Sequence, residues 1–209
     1  MNFSLKNTTI AFICLFSFYS FGQEMGKTTL KVGASLPNGL LGNLVKSGKG
    51  ATLQFNSDYI YQVRSRFSIE YYTYAPNDSA FHTYSSVSGV NPYDLFFKKF
   101  NSIDLCFGLD YNPFQQLIPE LYFGPELFLG SDRTTFTVDD FTNNVYTDTQ
   151  RFIHGGFKVH VGYEKTFGKL TLFTEYSIAK AIAENYNIRY YPRNFVATNY
   201  HQLGLGIRF

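Results

Sequence analysis

The sequence predicts an all-β protein, an eight-stranded antiparallel up-and-down transmembrane β-barrel. Three observations lead there: two-residue alternation in eight segments, connections that are alternately long and short, and charged residues on the face a soluble sheet would bury. Composition agrees. Of 209 residues, 17 are Tyr and 23 Phe, types that favour strands and water–lipid boundaries. With 18 Lys+Arg against 16 Asp+Glu, the chain lacks the basic excess that nucleic-acid binding requires.

The N-terminus reads as a signal peptide. Lys6 supplies a positive n-region, Thr9 to Phe18 an apolar h-region, and Ser20 and Gly22 the small residues of a cleavage site. The apolar run is too short to span a bilayer. Cys14 lies inside it, which argues against a lipoprotein. Cleavage near Gly22–Gln23 divides the chain into a signal peptide, 1–22, and a barrel domain, 23–209. Cys106 is then the remaining thiol, read as a small apolar filler within a strand.

Eight segments alternate. Leu30–Leu36 sets Leu30, Val32 and Ala34 against Lys31, Gly33 and Ser35, and Ala51–Tyr61 sets Leu53, Phe55 and Tyr59 against Gln54, Asn56 and Asp58. Phe67–Tyr74 opposes Phe67, Ile69 and Tyr71 to Ser68, Glu70 and Tyr72. Ile103–Tyr111, Glu120–Gly130, Phe157–Glu164, Lys169–Ala179 and Tyr200–Phe209 follow the same rule. Gaps near 37–50, 75–102, 131–152 and 180–199 are long and polar, and those near 62–66, 112–119 and 165–168 are short, as external loops and periplasmic turns are.

A soluble sandwich would also alternate, and two features separate the alternatives. Tyr61, Phe67, Tyr111, Tyr163 and Phe209 end the apolar series at the short-turn end, as an interfacial girdle does. Lys31, Glu70, Asp104, Asp110, Glu126, Lys158, Glu175 and Arg208 share the other face, where a sandwich core would leave charge unpaired. In hydrocarbon the sheet must close, which pairs the first strand near Leu30 with the last near Leu205. Inward glycines such as Gly162 and Gly204 leave room for larger inward side chains.

Over roughly 28–209 the chain resembles the small outer-membrane β-barrel family, of the OmpA or OmpX transmembrane-domain kind. The most specific piece is the last strand, Tyr200-His-Gln-Leu-Gly-Leu-Gly-Ile-Arg-Phe209. In that family such an aromatic terminus is the signal read by the barrel-assembly machinery. The resemblance implies the cell outer membrane, with outer-membrane lipids and lipopolysaccharide as surroundings. No peptidoglycan-binding domain is expected after Phe209, so a wall-anchoring role is not implied.

No motif assigns catalytic, cofactor-binding or metal residues. His82 and Ser85 resemble the His and Ser of some outer-membrane lipid A hydrolases and acyltransferases, but a long loop supplies such residues ordinarily. His154 and His160 stand six apart on one strand and share a face, without a third ligand nearby. Asp132, Asp139, Asp140 and Asp148 read as a solvated acidic loop without EF-hand spacing. Gly42 and Gly155-Gly156 are not phosphate cradles. The run Ile188-Arg-Tyr-Tyr-Pro-Arg-Asn-Phe195 reads as a solvated loop, with lipopolysaccharide phosphates or a partner as its alternative.

The expectation is a non-enzymatic outer-membrane barrel with a structural or interaction role, recognition lying in long external loops. An envelope protein is a candidate partner, and no cofactor is expected. The alternatives are a narrow pore for small solutes and a lipid-modifying enzyme. Eight strands give an interior that side chains fill, so little or no conductance is expected.

Overall fold

In a computed structural model, residues 27–38, 42, 45–76, 81–83, 93–139, 145–185 and 199–209 are described. The signal-peptide region 1–22, Ser85, Asp140 and the loop 188–195 lie outside them. Nine strands follow in order: β1 Lys27–Asn38, β2 Val45–Asn56, β3 Val63–Pro76, β4 Phe81–Thr83, β5 Tyr93–Tyr111, β6 Leu121–Asp139, β7 Val145–Phe167, β8 Leu170–Asn185 and β9 Asn199–Arg208.

Eight of them close a barrel, each long strand antiparallel to both of its neighbours. β1 pairs with β9, placing Val32 opposite Leu205, and β3 pairs with β5 across the short β4. β4 lies only against β5, His82 opposite Asp94. Closure gives every spanning strand two partners, the condition for a sheet in hydrocarbon.

The two faces are inverted relative to a soluble protein. Outward Val32, Leu127, Leu129, Val159 and Leu205 are more than half exposed, while all eight charged residues assigned inward are buried. Tyr111 meets Phe123 edge-on at 5.7 Å at the short-turn end, whereas Phe67, 4.8 Å from Phe107, lies two outward positions above Val63 and does not end its strand. An apolar exterior around a closed sheet is the surface of a transmembrane barrel.

Several boundaries differ from the sequence reading. Of segment 62–66, residues 63–66 are strand and not turn: β3 begins at Val63, and the chain reverses over 57–62, with Tyr61 at φ 58° and 92% exposed. Tyr61 therefore tips a turn and does not end a strand. The reading of 131–152 as loop also fails, because β6 runs to Asp139 and β7 starts at Val145. Here hydrogen-bonded pairing continues above the membrane, where polar residues face water and the apolar signal fades. Strands therefore reach 19 residues in β5 and β6 and 23 in β7, well beyond the about nine to eleven that cross a bilayer. The β7–β8 turn is Gly168–Lys169, and Gly168 at φ 63° takes the left-handed position a two-residue hairpin requires.

Candidate functional site

Among the described residues, the barrel interior is the one place where the fold brings chemistry-bearing side chains together in number. Alternation aims every second residue inward, and the closed sheet stacks them in levels along the axis. Nearest the short turns, Arg64 reaches Asp110 at 2.5 Å and grips Glu164 with both terminal nitrogens at 3.0 and 2.9 Å. Its guanidinium lies 4.7 Å from the Tyr59 ring and 4.9 Å from the Tyr122 ring. Arg208 reaches the same Glu164 at 2.7 Å and Thr29 at 3.0 Å.

One level up, Arg66 is the hub. It donates to Asp110 at 3.0 Å, Glu175 at 2.7 Å and Gln54 at 2.6 Å, with Glu126 at 3.5 Å. Lys31 donates to Glu175 at 2.7 Å, and Tyr122 donates to the same carboxylate at 3.1 Å. Two glycines make room: a methyl group at Gly204 would strike the Lys31 side chain, and one at Gly162 the Tyr122 ring.

Higher still, Glu70, Cys106 and Glu126 place ligand atoms within 4.8 Å of one another, a spacing a metal ion would fit. The Lys158 ammonium stands among them, 2.8 Å from Glu70, 3.4 Å from Cys106 and 3.9 Å from Glu126. The cluster thus has a cation built in. Cys106 is correspondingly not a plain apolar filler, since its sulfur accepts from Lys158. Near the external end, Tyr74 and Phe100 cross edge-on at 5.5 Å, and Phe128 packs 6.2 Å from Tyr200.

Both inward histidines bridge two carboxylates. His154 lies 2.9 Å from Asp104 through Nε2 and 2.9 Å from Asp132 through Nδ1. His160 lies 2.8 Å from Asp110 through Nε2 and 2.8 Å from Glu126 through Nδ1. The Nδ1 contacts are close enough for ion pairing but poorly angled as hydrogen bonds. Asp132 is therefore a buried lumen residue and not part of an acidic loop. Asp148 bonds locally, to the Thr149 amide at 2.7 Å and to Gln150 at 3.3 Å. Asp139 ends β6 opposite Val145, and Gly155 and Gly156 flank a bulge in the β7–β8 pairing.

Among the described lumen residues, fixed cations are Lys31, Arg64, Arg66, Lys158 and Arg208; carboxylates are Glu70, Asp104, Asp110, Glu126, Asp132, Glu164 and Glu175. Five against seven leaves two charges to be supplied, and two histidines sit between the carboxylates. Each ring lies within ion-pairing distance of two carboxylates, the position in which a cation would be paired from both sides. Among the described residues the interior is a network of buried ion pairs and hydrogen bonds.

Sequence reading missed Arg64 and Arg66 by taking 62–66 as a turn. The signal was present: the alternation of Ser68 and Glu70 continues downward through Arg66 and Arg64, with Phe67, Ser65 and Val63 opposite.

No protein-family profile and no curated protein sequence matches the chain. Among solved structures, the chain is similar to Ail, the attachment invasion locus protein of Yersinia pestis, at 11% identity and TM-score 0.49, covering 89% of this chain and 100% of that one. A major outer membrane protein from Thermus thermophilus is similar at 12% identity and TM-score 0.48, covering 88% and 99%. Neisserial surface protein A is similar at 18% identity and TM-score 0.42, covering 90% and 97%. At these levels the likeness assigns no role.

Proposed function

We propose that this chain is a non-enzymatic outer-membrane barrel whose structured external sheet serves interaction. The observation that supports this reading is the length of the β6–β7 ladder, unbroken from Leu121↔Tyr163 to Asp139↔Val145. Nineteen residues at about 3.3 Å each, tilted about 40°, rise about 45 Å. The apolar band of such a barrel is about 25 Å tall. Roughly the upper half of the ladder therefore stands in water, where Thr135, Thr137, Thr147 and Thr149 take over the outward positions. β5 pairs along it from Asp94↔Asp139 downward, widening the platform. A barrel needed only as a membrane plug has no use for this extension.

The competing reading is a narrow conduit, and the paired lumen argues against it. Two measurements test the proposal together. An epitope inserted at 142–143 is expected to be reachable by antibody on intact cells, and the refolded barrel is expected to show no stepwise conductance in planar bilayers at high salt. Porin-sized openings would transfer the function to solute passage, and an epitope reachable only after lysis would remove the external platform.

A further inference from the structure

The outward face changes character abruptly where β5, β6 and β7 leave the apolar band. Below the change lie Ile103, Leu129 and Ile153, all about half exposed. Within two outward positions above them stand Lys99 on β5, Arg133 on β6 and Arg151 on β7, all exposed and all on the outward face, with Asn101 and Ser131 between. Arg133 and Arg151 are direct cross-strand partners, and Lys99 is opposite Thr135, one outward position above Arg133. Lys98, in the bulge between Phe97 and Lys99, adds another exposed ammonium. The outward neighbours Asn101, Ser131, Thr135 and Thr149 carry no carboxylate. Thr135 and Thr149 are paired with each other at 3.3 Å.

Like charges placed directly across a ladder repel, and three adjacent strands repeat the sign. The arrangement becomes favourable when an anion lies between the cations, and two planar guanidinium forks suit a phosphate with several free oxygens. Height identifies the source of that anion. The cations sit immediately above the apolar band, at the depth of lipid headgroups, where juxtamembrane basic residues bind anionic lipid.

We propose that Lys99, Arg133 and Arg151 form a docking surface for the phosphate monoester of an anionic lipid headgroup in the outer leaflet. The proposal rests on the membrane-spanning reading and assigns the lipid contact to β5–β7. Lipid phosphate there screens the mutual repulsion of the arginines and ties the base of the external sheet to the membrane surface. A protein partner of that sheet then meets a platform already anchored at headgroup height.

The test uses the parent chain, R133Q/R151Q and, as a control, K49Q, an exposed outward lysine on β2 away from the patch. Each is first folded into neutral phosphatidylcholine vesicles and scored by heat-modifiable gel mobility. Failure of the parent to insert would sink the membrane reading itself, independently of any lipid site. Folded proteins in mild detergent are then titrated with lipid A, phosphatidic acid, phosphatidylcholine and inorganic phosphate, reading lipid retention by native mass spectrometry and the thermal midpoint. The parent and K49Q are expected to retain lipid A and phosphatidic acid over phosphatidylcholine. R133Q/R151Q is expected to lose about tenfold or more of that affinity, the effect of about 1.4 kcal/mol. Equal retention by R133Q/R151Q, or none by the parent, would overturn the proposal. A midpoint shift with inorganic phosphate equal to that with lipid A would also overturn it, by indicating a free-anion site.

Discussion

Glu126 and Leu127 are neighbours on β6, yet one is 2% exposed and the other 63%. One alternation serves two solvents. Outward residues need only be apolar, because lipid surrounds them and the closed sheet already satisfies the backbone. Inward residues are charged and buried, and unpaired buried charge is costly, so they meet complements among side chains arriving from other strands. The outward face should therefore be sensitive to charge and tolerant of shape. The inward face should be sensitive to balance, and more so to loss of a cation than of a carboxylate, since carboxylates exceed fixed cations there.

The largest effect is expected at Arg66. Arg66→Met removes donors to Asp110, Glu175 and Gln54 at once and leaves Glu126 with one cation fewer. Breaking a buried ion pair from one side costs about 3–5 kcal/mol, measurable as a shift in urea-driven unfolding from lipid vesicles. A loss within experimental error would mean that sheet closure alone holds the barrel.

Next comes the outward face. Leu127→Arg places a guanidinium in the apolar band and should cost about 2–4 kcal/mol by the same titration, the range for mid-bilayer arginine. A penalty near zero would break the face assignment of β6.

Glu126→Gln should be milder, about 1 kcal/mol, the scale of an ordinary polar contact. Glu126 approaches Arg66 at 3.5 Å, Lys158 at 3.9 Å and His160 at 2.8 Å, without well-angled hydrogen bonds. Its loss removes one charge from the side that is in excess, five fixed cations facing seven carboxylates among the described lumen residues. A cost equal to that of Arg66→Met would refute the asymmetry between cations and carboxylates.

The barrel was legible because alternation is a local property: each strand shows its two faces within its own residues, and the pairing of the first strand with the last follows from closure, though its register, Val32 opposite Leu205, does not. The partners inside were not legible. Arg66 meets Glu175, 109 residues along the chain and across the lumen, and nothing local marks that meeting. His154 and His160 could be placed on one face by spacing, but not between Asp104 and Asp132 or between Asp110 and Glu126. Above the membrane the outward face turns polar, so β6 and β7 lose the contrast that reveals them lower down, and Asp132 reads as loop.

The smallest effect is expected where ions meet in water. Lys165 donates to Glu120 at 2.5 Å beside the short turns, and this contact holds the Glu120 carboxyl below its ordinary range. Its geometry matches the lumen pairs, but its surroundings do not: both side chains are reached by solvent, and water competes for each. A depressed carboxyl contributes stability above its ordinary range, about pH 4, and loses that contribution as pH falls through the lowered value. Glu120→Gln should therefore leave the urea midpoint at pH 7 indistinguishable from that of the parent, and any small difference should disappear on acidification and in high salt. A penalty at Glu120 comparable to that at Arg66 would show that contact distance, not burial, ranks the ion pairs of this barrel.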